Sequence, residues 1–177
     1  MDDIYYGCDF FPSIDVKIHQ YKQIDLNEES LQKKFPRVKF DIVFCGEVLE
    51  HVFSPDDLLK EIRKMMHKES ILLLSTPNLG YYMNRVLLLF GIFPLFLENS
   101  SEAKLGRKFS FLGQGNETQG HIRVFTYGAL RDLFDKERFQ VVKVIPFSIF
   151  HLWIDAVFQK ISPSFSSNNI FILKKKK

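Results

Sequence analysis

Residues 40–78 constrain the fold more than any other stretch of this chain. Phe40-Asp-Ile-Val-Phe-Cys45 is an apolar run, Gly46-Glu-Val-Leu-Glu-His51 a polar turn, and Ile71-Leu-Leu-Leu-Ser-Thr-Pro-Asn78 a second apolar run. Between the runs, Leu58, Leu59, Ile62, Met65 and Met66 recur at helical spacing over Pro55–His67, with Ser54 placed to cap and Pro55 in the first turn. The order is strand, acidic turn, helix, strand. Near-continuous apolar runs are typical of strands covered on both faces, which is the condition of a parallel sheet. In such a sheet ligands bind where the strands run out at their carboxyl ends. The polar residues of this stretch gather there, which points to an enzyme site.

Ile4–Asp9 and Tyr21–Leu26 read as two earlier strands, with Asp9 and Asp25 at or near their ends. With Phe40–Cys45 and Ser70–Ser75 that makes four strands. Residues 79–120 break the pattern: Val86–Phe90 and Ile92–Leu97 form an apolar block interrupted by Gly91 and Pro94, and Asn99–Gln119 is rich in Ser, Gly, Lys and Asn, as a mobile loop would be. This segment is expected to be an insertion or lid within one domain spanning 1–177. Thr126 then caps a helix to Asp135, Phe139–Val144 forms a strand, Ile149–Ile161 an amphipathic helix and Asn168–Leu173 a last strand. The expected architecture is an α/β sheet, mostly parallel with an antiparallel last strand.

Cys8 and Cys45 are the two cysteines, and with no basic, apolar leader in front of them they do not suggest a disulfide framework. A cytoplasmic setting is expected. The charge is uneven: Met1–Ile62 carries 13 acidic and 7 basic side chains, whereas Arg63–Lys177 carries 17 basic and 8 acidic. Lys174–Lys177 reads as a frayed, solvated end, so no nucleic-acid partner is expected. Of the 19 Phe, 13 follow Tyr81. The apolar stretches Tyr81–Leu97 and Phe147–Phe158 are together read as a lid, a channel for an apolar substrate, a peripheral membrane patch or plain core.

Glu47, Glu50 and His51 stand at spacing i, i+3, i+4, which on a helical turn puts two carboxylates and an imidazole on one face. His121, in Gly120-His-Ile-Arg123, is placed to join them from the loop after the insertion. The same residues also suit simpler roles: carboxylates at a helix N-terminus, and a histidine serving as general base. His19, His67 and His151 lack such company and read as surface or boundary residues.

Phe40–Val52, Ser75-Thr-Pro-Asn78, Gly120-His-Ile-Arg-Val-Phe-Thr126 and Ile170-Phe-Ile-Leu-Lys174 together resemble the class I S-adenosylmethionine (SAM) dependent methyltransferases, particularly the branch with ubiquinone-biosynthesis O-methyltransferases. The resemblance implies a Rossmann-like sheet and SAM as cofactor. It places Asp9 at the cofactor ribose, Asp25 and Leu26 beside the adenine, and Cys45, Gly46 and Glu47 along the methionine half. It implies methyl transfer to a small-molecule or lipid-like acceptor, at oxygen, with His51 and His121 as candidate bases. Related enzymes hold a divalent metal with a similar Glu-x-x-Glu-His and a distant His, so Glu47, Glu50, His51 and His121 are candidate ligands for Mg²⁺, Mn²⁺ or Zn²⁺. One departure stands out: the family's first strand, glycine-rich turn and first helix have no counterpart, and the absent strand belongs between those ending at Asp9 and Cys45. A fragment, a mis-started reading frame and a degenerate descendant all fit that pattern. A non-catalytic binding or scaffold module is therefore the alternative to an enzyme.

Overall fold

The computed structural model describes residues 3–12, 18–150 and 152–176. Strand β1 (Tyr6–Asp9) lies parallel to β2 (Gln20–Gln23), and helix α1 (Leu31–Lys34) follows. Next come β3 (Phe40–Gly46), a 3-10 turn at Leu49–His51, α2 (Pro55–Met65) and β4 (Met66–Pro77). After α3 (Tyr82–Leu89) and a long irregular segment the chain finishes with α4 (Tyr127–Lys136), β5 (Phe139–Phe147), α5 (Trp153–Ile161) and β6 (Asn168–Lys175).

The four later strands form one sheet in the order β3-β4-β6-β5. The β3–β4 pair is parallel because α2 carries the chain back over the sheet, and β6 runs antiparallel to both of its neighbours. The expected mixture of a parallel core and an antiparallel last strand is present. Helix α2 forms where the sequence places it: Pro55 opens it, and the Ser54 hydroxyl accepts from the Asp57 amide at 3.3 Å. It stops at Met65, two residues short of the expected end, because Met66 turns extended and begins β4. Thr126 caps α4 by accepting from the Ala129 amide at 3.2 Å. Helix α5 starts at Trp153, four residues later than expected, since Ser148 and Leu152 are held by Asp155 instead of joining the helix.

Strands β1 and β2 stand apart as a separate two-stranded sheet, so among the described residues β1 pairs only with β2 and β3 only with β4. The two sheets nonetheless share a direction. Tyr6 at the start of β1 packs edge-on against Phe40 at the start of β3, 5.4 Å between ring centroids. Beyond the other ends, Asn27 accepts from the Phe53 amide at 2.7 Å and donates to the His51 carbonyl at 3.5 Å. All three strand ends therefore face one edge. Ile42 and Phe44, on one face of β3, are 63% and 71% exposed, and among the described residues the strand's other edge is unpaired, an apolar edge strand of the kind that invites pairing.

Leu59, Met66, Leu72, Leu74, Phe134, Phe171 and Leu173 are fully buried between α2, α4 and the four-stranded sheet. Residues 79–120 are tied together tightly for a segment whose composition suggests a mobile loop. Buried Asn84 accepts from the Leu95 amide at 2.8 Å and donates to the carbonyls of Leu79 and Leu95. Gly91, at φ +64°, turns the chain out of α3, a conformation glycine adopts without penalty. Tyr82 stacks on Phe158 at 4.2 Å and so binds α3 to α5.

Candidate functional site

The edge at which β1, β2 and β3 end gathers most of the residues singled out from sequence. Asp9 ends β1; its carbonyl accepts from Ile24, and its carboxylate from the Phe11 amide at 3.2 Å. Strand β2 stops at Gln23, so Asp25 and Leu26 lie in the following turn, where the Asp25 carboxylate accepts from the Asn27 amide at 2.9 Å. Asn27 reaches across to His51 and Phe53, which joins this turn to the one after β3. Cys45 is buried, and burial first, then Glu50 and Cys8, push its thiol up to about 12, so it packs as a neutral side chain. Both cysteines are free.

The turn after β3 departs from the helical geometry expected for Glu47, Glu50 and His51. Glu47 sits at φ +52°, outside the 3-10 turn that holds Glu50 and His51. Bonds from several directions keep it there. Its amide donates to the Ser75 carbonyl at 3.0 Å, while its carboxylate accepts from the Ser75 hydroxyl at 2.7 Å and the Asn168 amide group at 3.2 Å. Glu50 is 0% exposed. One of its carboxylate oxygens accepts from Thr76 at 2.9 Å, and the other has no partner. Burial raises its pKa to about 7; a backbone hydrogen bond opposes the shift and the neighbouring Glu47 charge adds to it.

His51 and His121 approach edge-on with ring centroids 4.9 Å apart, brought together from residues 70 positions apart in sequence. His51 Nδ1 lies 3.1 Å from the Gly120 carbonyl and His121 Nδ1 lies 2.7 Å from the Phe96 carbonyl. A carbonyl can only accept, so both Nδ1 atoms carry the proton and both Nε2 atoms are left to bind something else. Burial lowers the pKa of His121, with the Phe96 bond opposing and the His51 charge assisting. Glu50, His51 and His121 each present a ligand-type atom, and these atoms lie within 4.8 Å of one another. Glu47 lies beside this group with its oxygens already bonded to Ser75 and Asn168. Of the other histidines, His19 stacks on Tyr5 at 6.1 Å and His67 pairs with Asp41 at 2.8 Å, while His151 lies outside the described residues.

Several supporting roles escape the motif reading. Glu98 holds the loop that carries His121 by accepting from the amides of Gln119, Gly120 and His121 at 2.6, 2.9 and 3.1 Å. Asn168 and Thr76 bracket the two carboxylates; the polar Asn168-Asn169 pair opening an apolar strand was the available signal for the first. Asp155 is 3% exposed and takes hydrogen bonds from Tyr81 at 2.8 Å, from Ser148 and from the Leu152 amide at 3.0 Å. Burial alone would raise its pKa, but the hydroxyls of Ser148 and Tyr81 lead the contributions that outweigh it and hold the carboxyl below its ordinary value. Such a group stabilises the fold above its unfolded pKa, and that contribution is lost as pH falls through its folded one. Tyr81→Phe is therefore expected to cost about 2 kcal/mol at neutral pH and less in acid, read by urea unfolding; equal costs at both pH values would refute an ionised Asp155.

A profile of the family described as "Methyltransferase domain" matches residues 4–144. A search of curated proteins finds no match. Among solved structures, an S-adenosylmethionine dependent methyltransferase from Mesorhizobium loti is 14% identical, with a TM-score of 0.56 over 97% of this chain and 80% of that one. An S-adenosylmethionine-dependent methyltransferase from Clostridium acetobutylicum is 9% identical, with a TM-score of 0.59 over 99% of this chain and 76% of that one. At these identities the likeness is one of fold.

Proposed function

The chain belongs to the methyltransferase domain family, and on that premise we propose that it transfers the methyl group of S-adenosylmethionine to an oxygen of a small-molecule or lipid-like acceptor. The observation that supports the reading is the meeting of the Asp25 and His51 turns through Asn27, which joins the turn after β2 to the turn after β3. SAM brings a sulfonium whose methyl group is already activated, so the protein's task is to align the acceptor and withdraw its proton. Asp9 would accept from two ribose hydroxyls, Asp25 and Leu26 would flank the adenine, and Cys45, Gly46 and Glu47 would line the methionine half.

His51 and His121 are the candidate bases, because each keeps a free Nε2 while its Nδ1 is fixed by a carbonyl. The same feature fits a divalent cation, Mg²⁺, Mn²⁺ or Zn²⁺: two oriented imidazoles and the unpartnered oxygen of Glu50 make a mixed nitrogen and oxygen donor set. A cation held there would supply Lewis acidity that eases loss of the acceptor proton. Leu89 and Trp153, both 81% exposed, support peripheral contact with a membrane carrying a lipid-like acceptor. No described helix is long and apolar enough to cross a membrane. Liposomes that fail to retain the protein would remove that contact.

A second reading, a non-catalytic binding module, is favoured by β3, which among the described residues pairs on one side only and exposes Ile42 and Phe44. Calorimetry with SAM separates the two. Binding that weakens about tenfold or more in Asp9→Ala supports transfer, and no binding supports the module. Separately, Mn²⁺ affinity is expected to drop at least tenfold in His121→Ala; an unchanged affinity leaves the histidines as bases alone.

A further inference from the structure

A cavity of about 470 Å³ lies between the 79–120 segment and the residues leading into α5, and its lining is chemically one-sided. Leu95, Phe96, Phe150 and Leu152 supply apolar wall, and among the described residues Lys104 and Arg107 are the only charged side chains that line it. Arg107 is 4% exposed. Its terminal nitrogens donate to the carbonyls of Leu112, Pro94 and Leu97 at 3.3, 3.3 and 3.2 Å, and its Nε has no partner. None of those partners carries a charge. The Glu98 carboxylate, bonded to three backbone amides, makes no ion pair with Arg107 and acts on it only at a distance, too weakly to offset the burial that lowers the guanidinium pKa. A guanidinium stays ionised in proteins, so a buried positive charge stands here without an ion-pair partner, a costly arrangement that an anion in the cavity would relieve.

We propose that this cavity binds an amphipathic anion, with an apolar chain or ring against Phe96, Phe150 and Leu152 and a carboxylate or phosphate at the Lys104 and Arg107 end. The volume is that of a small-molecule site, and apolar walls with a few placed polar groups are the usual composition of one. Its position adds a role. Phe96 and Gln119 line the cavity, the Phe96 carbonyl orients His121, and Gln119 adjoins Gly120, whose carbonyl orients His51. The two short segments whose carbonyls orient the histidines thus also contribute to the cavity wall. Where its apolar part carries a hydroxyl, the bound anion is then the methyl acceptor: the oxygen takes the methyl as the sulfonium S–C bond breaks, and the proton passes to His51 or His121, an assignment that rests on the methyltransferase reading, whereas anion binding does not.

The test is calorimetric titration of the full chain, without SAM, with dodecanoate, dodecyl phosphate and dodecanol. At least one of the two anions is expected to bind one per chain and at least tenfold more tightly than the alcohol, and the tighter anion identifies the head group. Lys104→Met should remove most of that preference, and Lys104→Arg should keep it; Lys104 is partly buried and its ammonium has no hydrogen bond or ion pair among the described residues, so neither change threatens the fold. Equal affinity for alcohol and anions, or an unchanged preference in Lys104→Met, would overturn the inference. Loss of SAM binding with anion binding intact would instead strike the transfer reading alone.

Discussion

Phe171→Ala is expected to destabilise the protein by about 3–5 kcal/mol, the cost of removing a fully buried aromatic ring and leaving a cavity. Phe171 is 0% exposed in β6, the strand that pairs with both β4 and β5 and so holds the four-stranded sheet together. Its ring meets Phe134 edge-on at 5.1 Å and stacks near Tyr127 at 5.7 Å, which fixes α4 on the sheet. Both partners are held on α4, seven residues apart, and cannot both collapse into the space without undocking the helix, so the upper part of that range is expected. A fall in melting temperature of roughly 10 °C or more should follow for a domain of this size. A loss below about 1 kcal/mol would mean that α4 is not docked as described.

Glu50→Gln is expected to act in the opposite direction and to depend on pH. In the folded protein burial lifts the Glu50 pKa to about 7 from an ordinary 4.5. Between those values the native state holds a proton that the unfolded chain has released. Stability from this group is therefore complete below the unfolded pKa and is lost as pH rises through the folded one, on the order of 3 kcal/mol in all. Glutamine keeps the acceptor for Thr76 and carries no charge to bury. The variant should match the parent in mild acid and exceed it at about pH 8 by that amount, in urea unfolding with EDTA present. Two parallel stability profiles would show that Glu50 is hydrated or paired when ionised.

Helix α2 was legible because its signals are local. Ser54, Pro55 and the run from Leu58 to Met65 each state a capping or burial preference within a few residues of chain, and the structure satisfies them in place. The same holds for β3 and for the cap at Thr126. The turn after β3 was not legible. Spacing puts Glu47 on a helical face with Glu50 and His51, but bonds from Ser75 and Asn168 pull it into a left-handed conformation, and Asn168 lies 121 positions away. The clamp that Arg107 makes on residues 94, 97 and 112 was equally hidden, because backbone carbonyls leave no trace in a sequence pattern.

Composition and periodicity by themselves determined that this chain forms an α/β sheet with its polar residues at the strand ends, since apolar runs and helix caps act over short distances. Tertiary structure alone decided that Glu47 leaves the helical face of Glu50 and His51, that two distant histidines meet with the same nitrogen free, and that a cation is buried beside an apolar cavity. Each of these depends on groups far apart in the chain whose bonding is settled only when the backbone has closed around them.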